Sequence, residues 1–92
     1  MEKERSNMQE LKYVITDELG IHARPAGLLV KEAGKFQSDI KIAKGDKSAD
    51  AKRIFGIMGL AAKKGDEIVF TAEGEDEAEA IVAIEEFLKA NL

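Results

Sequence analysis

Every strand-like segment of this chain has at most one apolar face, and this restriction decides what kind of sheet the chain can form. Alternation of apolar and polar residues predicts strands at residues 9–16, 39–44 and 67–72, and the short polar segment 47–50, after a Gly-Asp turn, is predicted as an edge strand. In the first of them, Leu11, Tyr13 and Ile15 share one face. A strand of this kind can be covered on one side only. The sheet should therefore carry helices on one face and meet water on the other.

An amphipathic helix follows the first predicted strand. It should run from Ala23 or Pro25 to Phe36. Its apolar stripe, at helical spacing, consists of Ala26, Leu29, Val30, Ala33 and Phe36. Pro25 is the only proline in the chain, and proline fits in the first turn of a helix but not in its interior. The helix should therefore begin at or just before Pro25.

Two further helices complete the predicted pattern. Residues 51–60 form a short apolar helix with two glycines. The last helix should begin after Asp76, with Glu79 as the reciprocal partner of a capping box, and end near Lys89. Its apolar face consists of Ala80, Ile81, Ile84, Phe87 and Leu88. The element order is then βαββαβα, which predicts an α+β fold of the open-faced sandwich type.

Length and composition narrow the functional classes. We expect residues 1–8 to be disordered or frayed and residues 9–92 to form one domain. The net charge of −4, with four Phe, one Tyr and no Trp, argues against nucleic-acid binding. The chain has no cysteine and one histidine, which argues against a metal site and is compatible with a cytoplasmic location. No apolar run approaches the ~20 residues that span a bilayer, and no secretory signal is recognisable.

The single histidine, His22, lies where the first helix is expected to begin, on a loop that contains Gly20. Backbone N–H groups in the first turn of a helix lack internal partners and the helix dipole is positive there, so the position favours anions such as phosphate. The N–H groups of Ala23 and Arg24 could bind phosphoryl oxygens, and the Arg24 guanidinium offers a charge-assisted contact. Residue types and spacing alone leave a second interpretation open, in which a lone surface histidine has no chemistry.

No nucleotide-binding or hydrolytic apparatus accompanies His22. The chain has no Walker-type loop and no acidic metal cage, and its serines have no second base in reach by sequence. Phosphoryl transfer needs mainly positioning and charge stabilisation. The sequence therefore favours a phosphate acceptor and carrier over an enzyme, and it predicts no cofactor.

The short middle helix is unusually apolar, with Ile54, Phe55, Ile57, Met58 and Leu60 within seven residues. One interpretation places all five in the core. The other leaves part of them exposed as a patch for docking partners, in which Met and Phe are adaptable contacts.

Four cations lie on or near the first and middle helices: Arg24, Lys31, Lys52 and Arg53. Scattered cations usually form a solvated face. Their separation from the acidic last helix would instead steer acidic partners toward this side.

The segment Gly20-Ile21-His22-Ala23-Arg24-Pro25-Ala26 is similar to the active-site motif of HPr, the histidine-containing phosphocarrier family of the phosphoenolpyruvate-dependent sugar phosphotransferase system. The resemblance covers roughly residues 9–90 and continues through 35–36, 51–52, 56–60, 64–66 and 72–77. It implies the HPr-like sandwich, a four-stranded antiparallel sheet with three helices on one face.

The resemblance also implies a function. His22 would be phosphorylated on Nδ1 by phospho-Enzyme I and would pass the phosphoryl group to IIA domains of sugar permeases, with Arg24 stabilising it. Ile54, Phe55 and Met58 would be the exposed docking positions. We expect a cytoplasmic monomer that is not inserted in a membrane, with regulatory proteins as further partners.

Arg53 is the main departure from the family. Many relatives have a serine there that a dedicated kinase phosphorylates, and no such regulatory serine is present in this chain. A cation at a helix N-terminus opposes the dipole and gives up a side-chain cap worth about 1 kcal/mol.

Two other functions stay open. A regulatory interaction protein would bind partners through residues 54–58 and use His22 as a switch, as in the nitrogen-related branch of the same family. A small-ligand sensor on a similar sandwich would leave His22 and its neighbours without a role.

Overall fold

A computed structural model describes residues 8–92. It contains the strands β1 (Gln9–Val14), β2 (Asp39–Lys44), β3 (Lys47–Asp50) and β4 (Glu67–Glu73), and the helices α1 (Ala23–Ala33), α2 (Ile54–Gly59) and α3 (Glu77–Asn91). The predicted order βαββαβα is confirmed. The expected fraying of residues 1–8 falls almost entirely on residues 1–7, which lie outside the described residues.

The sheet is antiparallel throughout, with the strand order β1-β4-β2-β3. Its register aligns Leu11 with Phe70, Phe70 with Ile42, and Ile42 with Ala49, so that one apolar row crosses all four strands. The neighbouring row, on the opposite face, begins at the exposed Lys12. The predicted one-sided sheet is therefore confirmed.

The three helices cover the apolar face. α1 buries Ala26, Leu29 and Ala33 there, and α2 buries Ile57. α3 buries Ala80, Ile84 and Leu88, and the Tyr13 hydroxyl donates to the main-chain oxygen of Leu88 at 3.1 Å. Each large aliphatic side chain buried in this layer contributes roughly 1.5–3 kcal/mol. Within residues 8–92, none of the helices combines the length and apolarity that a membrane span requires.

Several element boundaries differ from the predicted ones. β1 ends two residues early because the N–H groups of Ile15 and Thr16 donate to Asp66 and Leu92 rather than to a neighbouring strand. α1 ends at Ala33. The N–H of Gly34 still donates to Val30 in the i→i−4 pattern, whereas Lys35 and Phe36 form tighter turns with i→i−3 hydrogen bonds.

The other two helices also have shifted ends. α2 has six residues instead of ten. Residues 51–53 form a turn in which the N–H of Lys52 donates to the Asp50 carboxylate at 2.9 Å, and Leu60 is the C-cap residue. α3 extends past Lys89 to Asn91.

The predicted capping box of α3 is wrong. The Asp76 carboxylate makes no cap hydrogen bond to its own helix. It accepts instead from the N–H groups of Gln37 and Ser38, each at 2.9 Å, and from the Ser38 hydroxyl. Ser38 is buried, so its polar groups need partners inside the protein. The side chain that accepts from a backbone N–H preceding the helix is Glu77 rather than Glu79, and the donor is Gly74 at 3.0 Å.

Asp76 therefore fastens the start of β2 to the start of α3. The hydroxyl of Ser38 and the N–H of Gln37 donate to the carboxylate and hold the pKa of Asp76 below its ordinary value of 3.8. Because the folded pKa is depressed, this link stabilises the fold fully above that ordinary value and is lost as pH falls through the folded pKa.

We expect Asp76→Asn to lower the free energy of unfolding at neutral pH, and we expect the difference from the parent protein to shrink below about pH 4. Urea unfolding at several pH values measures this. Asp46→Asn, in the β2–β3 turn, is the control and should change little, since Asp46 accepts no side-chain hydrogen bond within residues 8–92. A difference for Asp76→Asn that stays constant down to about pH 2 would contradict the assignment.

Candidate functional site

The loop that carries His22 is tied down at several points. The N–H of Gly20 donates to the carbonyl of Asp17 at 3.0 Å, and the Asp17 carboxylate accepts from the N–H of Leu19 at 2.8 Å. The N–H of Ile21 donates to the carbonyl of Ala62 at 3.0 Å, and the Ile21 side chain is buried. The loop is thereby fixed to the segment that follows α2.

Gly20 has a positive φ of 66° and lies against Ala62 and Lys63. A Cβ at this position would be 2.8 Å from the Cα of Lys63. The site therefore needs glycine both for the left-handed conformation and for the close approach of two backbones.

His22 is the N-cap residue of α1, with extended backbone angles (φ −96°, ψ −173°). Its side chain makes no cap hydrogen bond, while its carbonyl accepts from the N–H of Ala26 at 3.0 Å. The imidazole, which is half-buried, is therefore not used to cap the helix.

Two backbone donors stand beside the imidazole. Among the described residues, the N–H groups of Ala23 and Arg24 have no hydrogen-bond acceptor, and Pro25 has no N–H to offer. Ala26 is then the first residue of α1 whose N–H is bonded within the chain. An anion held at the imidazole would meet two free donors at the positive end of the helix dipole.

A cleft of about 230 Å³ opens at this helix start. It is lined by Asp17, His22, Arg24, Pro25, Leu28 and Asn91. Arg24 is exposed, and within residues 8–92 it forms no salt bridge. The predicted pair His22 and Arg24 thus shares one concavity, in which a cation and backbone donors are available to an anion.

The sequence prediction did not include Asp17, Leu28 or Asn91. The sequence did contain a sign of Leu28, because it is an apolar residue outside the apolar stripe of α1. In the structure it is 43% exposed. Asn91 had no such sign, because only the packing of α3 brings it to the cleft. Asp17 had none either, because it is one polar residue in the loop between β1 and α1.

On α2, the apolar run is divided between the core and the surface, and docking by its exposed part stays a prediction. Ile57 and Leu60 are buried in the core, whereas Phe55 is 85% exposed and Met58 39% exposed. Ile54 is half-buried.

Ile54 also connects α2 to the histidine-bearing helix. Its Cδ1 lies 3.7 Å from where a Cβ on Gly27 would be. The exposed side chains Phe55 and Met58 therefore project from a helix that packs against α1 soon after His22.

The other cations differ in their contacts. Lys52 donates through Nζ to the carbonyl of Phe36 at 2.8 Å. Arg53 is the N-cap residue of α2 without a side-chain cap, as its residue type predicts. Its side chain is 80% exposed, and Nε lies 3.9 Å from an oxygen of Asp50, an ion pair of little energy at such exposure. Lys31 is exposed and forms no salt bridge within the described part of the chain.

The protein is an open-faced α+β sandwich in which a histidine occupies the N-cap position of a helix and its side chain makes no capping hydrogen bond. The family model described as "PTS HPr component phosphorylation site" matches residues 9–90. The chain belongs to the HPr family of phosphocarrier proteins of the phosphotransferase system.

Three solved structures show how similar the relatives are. The histidine-containing phosphocarrier protein of Mycoplasma is 41% identical, with 89% of this chain and 93% of that chain covered and a TM-score of 0.87. HPr from Bacillus anthracis is also 41% identical, with 88% and 96% covered and a TM-score of 0.82. The catabolite repression protein Crh of Bacillus subtilis, as a swapped dimer, is 38% identical, with 87% and 92% covered and a TM-score of 0.73.

Two glycine substitutions test whether the close approach at Gly20 holds the loop. Gly45 has nearly the same positive φ, 62°, but no atom of residues 8–92 lies within 4 Å of an added Cβ. Gly45→Ala should cost only the left-handed penalty of about 1–2 kcal/mol. Gly20→Ala adds a backbone clash and should cost roughly 1–3 kcal/mol more. Urea unfolding of both variants gives the comparison, and equal losses would contradict the packing described here.

Proposed function

We propose that His22 accepts a phosphoryl group from phospho-Enzyme I and passes it to IIA domains of sugar permeases, in the cytoplasm. The proposal rests on the imidazole of His22, which makes no capping hydrogen bond to α1. It shares a cleft with Arg24, and the next two residues have backbone N–H groups without an acceptor in residues 8–92. Membership in the HPr family supports the choice of partners.

The proposed chemistry is a nucleophilic displacement at phosphorus. The Nδ1 of a neutral imidazole forms a bond to phosphorus as the bond between phosphorus and the donor breaks, and the donor leaves with that electron pair. Arg24 and the N–H groups of Ala23 and Arg24 then stabilise the negative oxygens of the transferred group. Transfer to the next protein is the same step in reverse, with His22 as the leaving group. The protein is a phosphorylated intermediate rather than an enzyme, because it returns to its unphosphorylated form only when a partner protein takes the phosphoryl group.

The proposed docking surface consists of Ile54, Phe55 and Met58, together with Leu28 at the edge of the cleft. Phe55 has the largest exposed fraction of these, and exposed aromatic side chains are frequent anchors of interfaces. Because α2 packs against α1, a partner seated on this surface would also cover the cleft that contains His22.

Arg53 leaves no hydroxyl at the position of the regulatory serine, so we propose no serine switch for this chain. Monomeric behaviour stays a prediction. One relative, HPr from Thermoanaerobacter tengcongensis, was crystallised as a dimer.

The alternative is a regulatory role, as in the nitrogen-related branch of the family. The acceptor domains that the phosphorylated protein labels distinguish this role from sugar transport.

Incubation with Enzyme I and phosphoenolpyruvate should add one acid-labile phosphate to the protein, detectable by mass spectrometry. His22→Ala should abolish the modification, since no other histidine is present. A panel of IIA domains then tests onward transfer. Absence of the modification, or a label that survives in His22→Ala, would overturn the proposal. A phosphorylated protein that labels no sugar-specific IIA domain would favour the regulatory alternative.

Phe55→Ala tests the docking surface. Phe55 is exposed, so its truncation should change the free energy of unfolding by no more than about 0.5 kcal/mol. If Phe55 is buried as an anchor in the complex, its truncation should raise the KM of Enzyme I for this protein by roughly tenfold or more. Val82→Ala is the control, because Val82 is an exposed apolar residue on α3. Equal KM values for both variants would contradict the assignment of the surface.

A further inference from the structure

Asp17 is an acidic residue that lines the cleft of His22 and Arg24. Three hydrogen bonds fix its position. Its N–H donates to the main-chain oxygen of Leu92 at 2.9 Å, its carbonyl accepts from Gly20 at 3.0 Å, and its carboxylate accepts from Leu19 at 2.8 Å. The carboxylate is thus held by backbone geometry at the rim of the cleft, and it is half-buried.

Among residues 8–92, no cation forms a salt bridge with this carboxylate, although Arg24 lines the same cleft. The neighbouring acid behaves differently, because Glu18 pairs with Lys64 at 3.2 Å and does not line the cleft. Asp17 therefore adds an unpaired negative charge to a site where the proposed function places the negative phosphoryl group.

We propose that the charge of Asp17 raises the free energy of phosphorylated His22 and so keeps the phosphoryl group easy to transfer. This inference rests on the proposed function. Asp17 and His22 line the same cleft of about 230 Å³. Repulsion between charges that share one cleft is screened only in part at physiological salt, where the Debye length is about 8 Å. Arg24 and the free N–H groups stabilise the phosphoryl group, whereas Asp17 opposes that stabilisation, and the balance sets the tendency to give the group away.

Hydrolysis reports the same tendency without a protein partner. In that step the oxygen of water forms a bond to phosphorus, the P–N bond breaks, and its electron pair returns to the imidazole. The products are inorganic phosphate and neutral His22, whose ring receives one proton from the attacking water. A destabilised phosphohistidine reacts faster, so the loss of the Asp17 charge should slow this reaction.

The test uses Asp17→Asn, which removes the charge but keeps an oxygen that can accept from the N–H of Leu19. Asp17→Ser is a second variant that can form a similar turn. Glu18→Gln is the matched control, since it removes one negative charge from the adjacent residue outside the cleft. All proteins are phosphorylated chemically with phosphoramidate, and loss of phosphohistidine is followed by phosphorus NMR.

We expect Asp17→Asn and Asp17→Ser to hydrolyse roughly threefold to tenfold more slowly than the parent protein, and Glu18→Gln to stay within about twofold of it. The difference should shrink in about 1 M salt. With Enzyme I and a fixed ratio of phosphoenolpyruvate to pyruvate, both Asp17 variants should also hold a larger phosphorylated fraction at equilibrium.

Hydrolysis of both Asp17 variants at the parent rate, or the same slowing in Glu18→Gln, would overturn the inference. Because chemical phosphorylation needs no Enzyme I, this result is independent of the proposed partners. Failure of Enzyme I to label His22 would instead remove the phosphocarrier role and leave the hydrolysis comparison interpretable.

Discussion

The sheet of this protein can be covered on only one side, and the positions of all three helices follow from that constraint. The row Leu11–Phe70–Ile42–Ala49 runs across every strand, so the apolar surface is continuous and has one face. Each helix buries small or aliphatic side chains against it and leaves its other side in water. The helices therefore share one layer, and the start of α1 and the exposed side of α2 lie in that same layer.

The histidine loop connects the sheet to this layer, and segments distant in sequence hold it. Leu92, at the end of α3, accepts from Thr16 and Asp17 where β1 ends, and Ala62, after α2, accepts from Ile21. These contacts orient a helix start without using the side chain of His22. The result is a histidine free for chemistry on a loop that the rest of the chain keeps in place.

Local sequence patterns were sufficient for the element order, the inward faces and the beginning of α1, because Pro25 and single-faced periodicity are strong signals. They also predicted His22 and Arg24 as neighbours at one site, and the two residues do line one cleft. The mispredicted features depend on tertiary contacts. Asp76 has the residue type of a cap, but buried Ser38 takes its carboxylate. The run of apolar residues on α2 could not show that Ile57 is buried and Phe55 exposed, since five apolar residues in a short helix do not define a face. Asn91 reaches the cleft only because α3 folds back over β1 and β4.

We propose that the start of α1 binds the phosphoryl group through backbone N–H groups that have no other partner in residues 8–92. Amide NMR shifts before and after chemical phosphorylation measure this contact. We expect large downfield shifts for the amide protons of Ala23 and Arg24, and little change for Ser38, whose amide is already bonded to Asp76. Unchanged amide shifts at Ala23 and Arg24 in a protein phosphorylated on His22 would contradict it.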